Sequence, residues 1–342
     1  MREPLRPWKP GPSCLTILPT FRCTAACKNC CFGSHPWVPG RIPQEDILRY
    51  IREAARFESL SLVVFSGGEC FLLGDDLVEA VALATRLGLA TRCVTNGYWA
   101  SSEKAALHRL IELRDAGLTE LNLSTGDHHA QFVPIENILH GARAAAQLGI
   151  RVAIMVELQA ERRVTKQVLL EHPLAQRLFD EHDLDPNETI VESPWVAMED
   201  GEVPYDTNCL INADNVHLRS GCDSILSTIV VTPQKELFAC CGITAEKIPE
   251  VKLGLLDQAN MHDLYEAACN DFIKIWLAVD GPEKIVAWAA QKDPSIEWEN
   301  RFAHQCDICR FMYQSPQIKR VIREHYQEVV GDVLLRFALR RP

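Results

Sequence analysis

The chain has 342 residues, 47% hydrophobic and 24% charged, with 18 Gly and 19 Pro, which is the composition of an ordinary folded chain long enough for about two domains. Its 35 Lys and Arg against 46 Asp and Glu leave a formal charge of −11, so there is no basic footprint for a phosphate backbone and nucleic acid is not expected as a partner. No uncharged apolar run approaches the roughly 18 residues of a membrane helix. The apolar stretch after the first basic residues is interrupted by Thr16 and Pro19 with no small-residue cleavage site, so the expected location is the cytoplasm and no membrane partner is expected.

Short β-branched runs alternate with amphipathic stretches through the first 195 residues. Strands are predicted at 14–18 (CLTIL), 62–65 (LVVF), 91–95 (TRCVT), 119–124 (TELNLS), 151–156 (RVAIMV) and 189–193 (TIVES). Between them Ile47, Leu48, Ile51, Ala54 and Ala55 repeat at helical spacing, as do Leu107, Leu110 and Ile111, then Ile135, Ile138, Leu139 and Ala142. Ser101 precedes the third helix, Gly117 ends it, and Pro134 suits the first turn of the fourth. A strand–helix cadence of about thirty residues implies parallel strands joined by right-handed crossovers. The expectation is an α/β fold whose residues 1–200 form a partial (β/α)6 TIM-like barrel. After Pro194 the cadence stops, 195–220 reads as irregular linker, and ILSTIVVTP, QKEL and FACCGI predict a β-hairpin followed by a cysteine-bearing turn. Residues 201–342 are expected to form a smaller C-terminal α+β domain. It ends in a helical tail from 316, whose stripe of Ile318, Val321, Ile322, Val329, Val330, Val333 and Leu334 is expected to dock on the core.

The 14 cysteines fall well below the roughly 8–10% of a disulfide scaffold, but they are crowded into a few places. In a chain without a signal, crowding of this kind reads as metal or redox chemistry. The reactive groups of a βα barrel sit on the loops after the strands, so those loops are read in order. After the first strand, C-T-A-A-C-K-N-C-C places Cys23, Cys27 and Cys30 on one tight loop. Three thiolates can hold three irons of a cubane cluster and leave the fourth open. Zinc, with His35 or Cys31 as fourth ligand, is the alternative on spacing alone. After the second strand, Ser66-Gly67-Gly68-Glu69 offers glycines that admit a ligand to the backbone and a carboxylate that can pair with an ammonium.

This order of a cysteine triad and a Gly-Gly-Glu turn in a βα barrel resembles the radical S-adenosylmethionine (SAM) enzymes over roughly residues 14–195. The resemblance implies that Cys23, Cys27 and Cys30 ligate a 4Fe-4S cluster with SAM at the open iron. It implies that Glu69, with the backbone of Ser66, Gly67 and Gly68, holds the methionine ammonium. Asn96 would lie near the SAM ribose or the substrate, and Ser124 would contact the ribose. The chain departs from the family twice. Asn29 stands where an aromatic neighbour of the adenine is common, with Phe32 just after Cys31 instead, and Cys70 stands where Pro often follows Gly-Gly-Glu. Cys70 at a strand end would point into the reaction cavity as a hydrogen-atom donor; the alternative is a small packed thiol. His128 and His129 follow the fourth strand as general bases or as solvent-facing residues, and Glu157 and Glu192 end the fifth and sixth strands on the same face.

Cys222, Cys240, Cys241 and Cys306-x-x-Cys309 flank and follow the hairpin, which resembles the twitch or SPASM extensions of radical SAM enzymes over about 220–312. The resemblance implies one auxiliary 4Fe-4S cluster on Cys222, Cys240, Cys306 and Cys309, with Cys241 as the alternative to Cys240 and zinc as the alternative metal. The implied chemistry is reductive cleavage of SAM to a 5′-deoxyadenosyl radical that abstracts a substrate hydrogen. The expected substrate is a ribosomally made peptide, crosslinked, epimerised or oxidised by the chain as a peptide maturase. Dehydrogenation or epimerisation of a small molecule such as an aminocyclitol or sugar is the second reading, and a non-catalytic Fe–S or zinc scaffold the third. A flavodoxin or ferredoxin is the implied electron donor. Because the first strand begins near Cys14, a fused recognition domain is not expected, and a separate peptide-recognition protein or a direct groove would receive the substrate.

Overall fold

The computed structural model describes residues 11–198 and 203–339; the parts of the expectations that fall on 1–10, 199–202 and 340–342 lie outside them. The six predicted strands form as β1 (Cys14–Ile17), β2 (Leu62–Phe65), β3 (Ala90–Thr95), β4 (Glu120–Thr125), β5 (Arg151–Leu158) and β6 (Ile190–Pro194), each parallel to the next. The crossovers are α1 (Gln44–Ala54), α2 (Asp75–Arg86), α3 (Glu103–Ala116) and α4 (Ile135–Gln147), then the shorter α5 (Lys166–Glu171), α6 (Pro173–Glu181) and α7 (Pro186–Thr189). Helix α3 starts one residue later than the sequence suggests, because the Ser102 hydroxyl, rather than that of Ser101, accepts from Ala105 N at 3.2 Å. It ends as predicted at left-handed Gly117. This is the partial (β/α)6 barrel.

Alternation along the strands decides which face does what. Leu15 and Ile17, Val63 and Phe65, Leu121 and Leu123, Ile154 and Val156 point to the helix side and are buried in one apolar cluster. Cys14 and Thr16, Val64 and Ser66, Arg92 and Val94, Asn122 and Ser124 point the other way and line a cavity.

The predicted hairpin forms as β7 (Thr228–Val231) and β8 (Glu236–Phe238), with β9 (Lys252–Leu255) beside it. It does not stand apart from the barrel. The sheet has nine strands in the order β6-β5-β4-β3-β2-β1-β7-β8-β9, and β7 runs parallel to β1 with Cys14 opposite Thr228 and Ile17 opposite Val231. Ile229 and Val231 accordingly join the barrel's apolar cluster. Val230 and Phe238 join a second cluster made with the C-terminal helices. Those helices are α8 (Met261–Ala268), α9 (Phe272–Lys292), α10 (Gln305–Gln314), α11 (Pro316–His325) and α12 (Gln327–Leu339). Helix α8 packs back on α1 through Met261 N, which donates to the Glu53 carboxylate at 2.6 Å; the His262 ring stacks on Phe57 just beyond α1, and the Tyr265 hydroxyl donates to Leu226 O at 2.6 Å. In the tail Ile318, Val321 and Val333 are buried as expected, whereas Leu334 is 42% exposed.

The shared sheet should couple the unfolding of the two parts. Ile229→Ala, at a fully buried site in β7, should cost about 2–5 kcal/mol, the range for such a truncation. Urea unfolding followed by far-ultraviolet circular dichroism and by tryptophan fluorescence should shift as one coincident transition. Two separate transitions would show that the β1–β7 ladder does not couple them.

Candidate active site

The loop after β1 is placed by backbone packing. A Cβ on Gly67, whose φ is +97, would fall 2.5 Å from Thr20 O, and one on Gly68 would fall 2.2 Å from Arg22 O. Gly68 N donates to Thr20 O at 2.8 Å. The two glycines therefore let the loop after β2 lie directly on the segment that enters the cysteine loop. Within that loop Cys30 N donates to Cys27 O at 3.3 Å and Gly33 N to Cys30 O at 3.0 Å, with Asn29 at φ 61 between them. Asn tolerates this left-handed conformation, an accountable reason for its presence before the third cysteine.

Glu69 is fully buried. One carboxylate oxygen accepts from Phe71 N at 3.0 Å and from the Thr95 hydroxyl at 2.9 Å; the other accepts from Asn96 N at 2.9 Å. Burial pushes its pKa up to about 7 against the pull of those three donors. Asn96 continues the connection: its side-chain amide donates to Thr24 Oγ1 at 3.0 Å and lies 3.4 Å from Cys23 Sγ. The carboxylate thus ties the ends of β2 and β3 together, and through Asn96 both are tied to the cysteine loop.

Cys23, Cys27, Cys30, Ser66, Gly67, Gly68, Asn96 and Ser124 all line one cavity of about 470 Å³. Phe32 lines it too and stacks on Phe21, whereas Asn29 faces a separate outer pocket. Burial raises the Cys23 thiol to about 11 and raises Cys27 further, while the Cys31 thiol donates to Cys30 and lowers it to about 6. Cys70 sits elsewhere. Its residue opens a 3₁₀ turn, its side chain is fully buried in the helix-side cluster with Cys93, and its Sγ donates to Val94 O at 3.3 Å. The thiols outside the triad that line the cavity are Cys14, Cys31 and Cys241. His129 lines it as well, backed by Glu157, while Glu192 is drawn off by Arg162 at 3.3 Å.

Cys222, Cys240, Cys241, Cys306 and Cys309 surround a second, small cavity whose other walls include Ile225, Ile248, Val251 and Leu277. Cys222 N donates to Leu277 O of α9 at 2.9 Å. That helix breaks at Gly281, where φ is 78 and a Cβ would meet Ser220 O at 2.6 Å, so the break admits the strand-entry segment that carries Cys222. Cys306 and Cys309 share one face of α10, whose cap is the His304 ring accepting from Cys306 N at 3.1 Å. Cys241 Sγ lies 4.0 Å from Cys306 Sγ, and Cys241 lines both cavities. Among the described residues no three His, Cys, Asp or Glu side chains converge as ligands of a single metal ion do. Both donor sets are built from thiols around a void, which fits the ligand chemistry of an iron–sulfur cluster.

A family model described as the radical SAM superfamily matches residues 17–158, the segment from the end of β1 to the end of β5. Residues 17–158 are thus similar to a radical SAM domain. The chain is 29% identical over 138 residues to "Putative peptide biosynthesis protein YydG" of Bacillus subtilis (strain 168), covering 40% of this chain and 43% of that protein. It is 28% identical over 152 residues to GTP 3′,8-cyclase of Aliarcobacter butzleri (strain RM4018), covering 41% and 45%. The matches therefore span less than half the length of these curated relatives. Over more than that segment, the solved structure of anSMEcpe with bound AdoMet and Cp18Cys peptide is similar at a TM-score of 0.55 and 14% identity, covering 95% of this chain and 99% of that one. The likeness of fold runs on through the C-terminal strands and helices.

The Glu69 connection can be tested without any cofactor. Glu69→Gln sets an amide N–H against one of three donors and should lower the apoprotein's stability by about 1–3 kcal/mol. With a folded pKa of about 7 against an ordinary 4.5, the carboxyl's contribution is complete below pH 4.5 and is lost as pH rises through about 7. The wild type should lose stability over that window more steeply than the variant. Equal melting temperatures at every pH would show that the three bonds hold nothing together.

Proposed function

We propose that the chain is a radical SAM enzyme that modifies a peptide. Cys23, Cys27 and Cys30 hold the 4Fe-4S cluster, and SAM lies at its open iron against Ser66, Gly67, Gly68 and Ser124. The observation that carries this reading is that the three thiols, the glycine turn, Asn96 and Ser124 line a single cavity of about 470 Å³, within the usual size of ligand sites. When bound, the cluster and SAM supply an electron and a 5′-deoxyadenosyl radical that takes a hydrogen atom from the substrate. The chain's own residues do the positioning. The Asn96 amide supports the Cys23 sulfur, the two glycines leave room for the backbone to meet SAM, and Phe32 offers a ring to the adenine in place of Asn29. Glu69, expected from the sequence to hold the SAM ammonium, already has three donors and no exposed surface, so its part is to hold this geometry.

The second thiol set, in the C-terminal part over 201–342, is proposed to carry one auxiliary 4Fe-4S cluster on Cys222, Cys306, Cys309 and one of Cys240 and Cys241. A flavodoxin or ferredoxin would supply the electron. Two comparisons support a peptide as substrate: the name given to the B. subtilis relative, and the peptide bound in anSMEcpe, whose fold this chain shares. The modification is proposed to be a crosslink, an epimerisation or an oxidation.

After anaerobic reconstitution, the wild type with SAM and dithionite should release 5′-deoxyadenosine. The triple Cys→Ala variant at 23, 27 and 30 should release none and lose about four irons while keeping those of the second site. Undiminished 5′-deoxyadenosine from that variant would sink the triad assignment. Synthetic peptides copied from short open reading frames flanking the gene should change mass in the same assay. A mass change in an aminocyclitol or sugar instead would support the small-molecule reading, and wild type that makes no 5′-deoxyadenosine would support the scaffold reading.

A further inference from the structure

The loop after β4 is fixed from both sides. Gly126, at φ +141, leaves no space for a side chain, because a Cβ there would lie 2.4 Å from the Glu157 side chain. Next to it the Asp127 carboxylate accepts from Arg163 N at 2.9 Å and Val164 N at 2.7 Å, anchoring the loop to the segment that follows β5. The loop then closes over Glu157, whose side chain is 2% exposed. Glu157 accepts from His128 N at 2.8 Å and from His129 N at 3.1 Å, and the His129 ring joins them through Nδ1. An ionised carboxylate only accepts, so Nδ1 carries the proton and the neutral ring keeps its lone pair on Nε2. Trp195 packs edge-on against the same ring at 5.6 Å between centroids. The ring is 16% exposed, and it lines the cavity that also holds Cys27 and Cys30.

We propose that His129 takes a proton from the substrate in this cavity, with Glu157 as the positioning residue that fixes its tautomer. The inference rests on the radical SAM reading and narrows it to a two-electron oxidation or a crosslink. The substrate carbon gives a hydrogen atom to the 5′-deoxyadenosyl radical, and the neighbouring heteroatom gives its proton to His129 Nε2. One electron passes to an iron–sulfur acceptor of the kind proposed at the second thiol set. One C–H and one N–H, O–H or S–H bond break, and a new bond forms at the carbon. An epimerisation, which returns a hydrogen atom, needs no such base.

Two variants separate this role from a structural one. Glu157→Gln keeps an oxygen for one of the two backbone amides, which bind different carboxylate oxygens, and puts an N–H donor in place of the other oxygen, so the acceptor-only carboxylate is removed. His129→Asn keeps a donor towards Glu157 but removes Nε2. The first readout needs no cofactor: ¹⁵N-histidine spectra of the apoprotein should show His129 as the Nδ1–H tautomer, and Glu157→Gln should shift it towards Nε2–H. An Nε2–H wild type, or a tautomer indifferent to the change, overturns the proposal. The second readout uses the reconstituted enzyme with the flanking-gene peptide that changes mass. Both variants should still release 5′-deoxyadenosine and carry a deuterium from labelled peptide into it, while modified peptide falls by about 10²–10⁴-fold. Undiminished product overturns the role of His129 alone. A wild type that makes no 5′-deoxyadenosine overturns the radical SAM reading and this inference with it.

Discussion

Three donors from two different loops converge on the carboxylate of Glu69, a side chain with no exposed surface. Removing a carboxylate from water carries an effective cost of several kcal/mol, and only a fixed set of hydrogen bonds offsets it. The donors are fixed because each belongs to the end of a regular element: Phe71 N to the turn that leads into α2, Thr95 and Asn96 to the end of β3. Asn96 in turn grips Thr24 and Cys23. The ends of β2 and β3 and the entry to the cysteine loop therefore move together or not at all. Gly67 and Gly68 complete the arrangement from the other side by lying on the backbone of residues 20–22. The motif residues do mechanical work before they meet any ligand.

The cavity exists because the strands spend their two faces differently. Odd-numbered apolar residues of β1 and β2 pack on the helices, and the even-numbered Cys14, Thr16, Val64 and Ser66 are left for the concave side. A sheet buried in apolar contacts on both faces would have no polar cavity to offer. The parallel pairing of β7 with β1 then adds Thr228 to the same wall, together with Ser224 before it and Cys241 after it. A hairpin far along the sequence ends as part of the cavity wall.

How much of this was legible depended on distance along the chain. The strands were read to within a residue or two because period-two alternation is local, and the triad and the Gly-Gly-Glu turn were read because each lies within a few residues. The β1–β7 ladder was not, since its first side-chain contact, Ser13 to Ser227, spans 214 positions. Of the two readings of Cys70, the packed thiol is the one the structure bears out, for a geometric reason. Continuing the strand period past Phe65 aims it at the cavity, but the chain turns at Glu69 into a 3₁₀ segment and carries the thiol into the helix-side core. His129 and Glu157 were each visible as polar strand-end residues, but not as a pair 28 positions apart. Glu192, at the end of the sixth strand, is held instead by Arg162, 30 positions earlier in the chain and part of no recognisable motif.

The adjacent pair Cys240 and Cys241 faces two ways: both line the small cavity, and Cys241 lines the large one as well. Five thiols surround the small cavity, and a fully ligated cubane takes four. Cys241 alone of the five also lines the large cavity. If, on the proposed reading, Cys240 is the ligand, a Cys241 thiol remains in the wall of the large cavity. If Cys241 is the ligand, the cluster itself stands behind that wall with one bond reaching through it. Either way Cys241 is the one of these five side chains that stands between the two cavities. The nine-stranded sheet supplies the rigidity that keeps this common wall in place, since β7 is held to β1 on one edge and to β8 on the other.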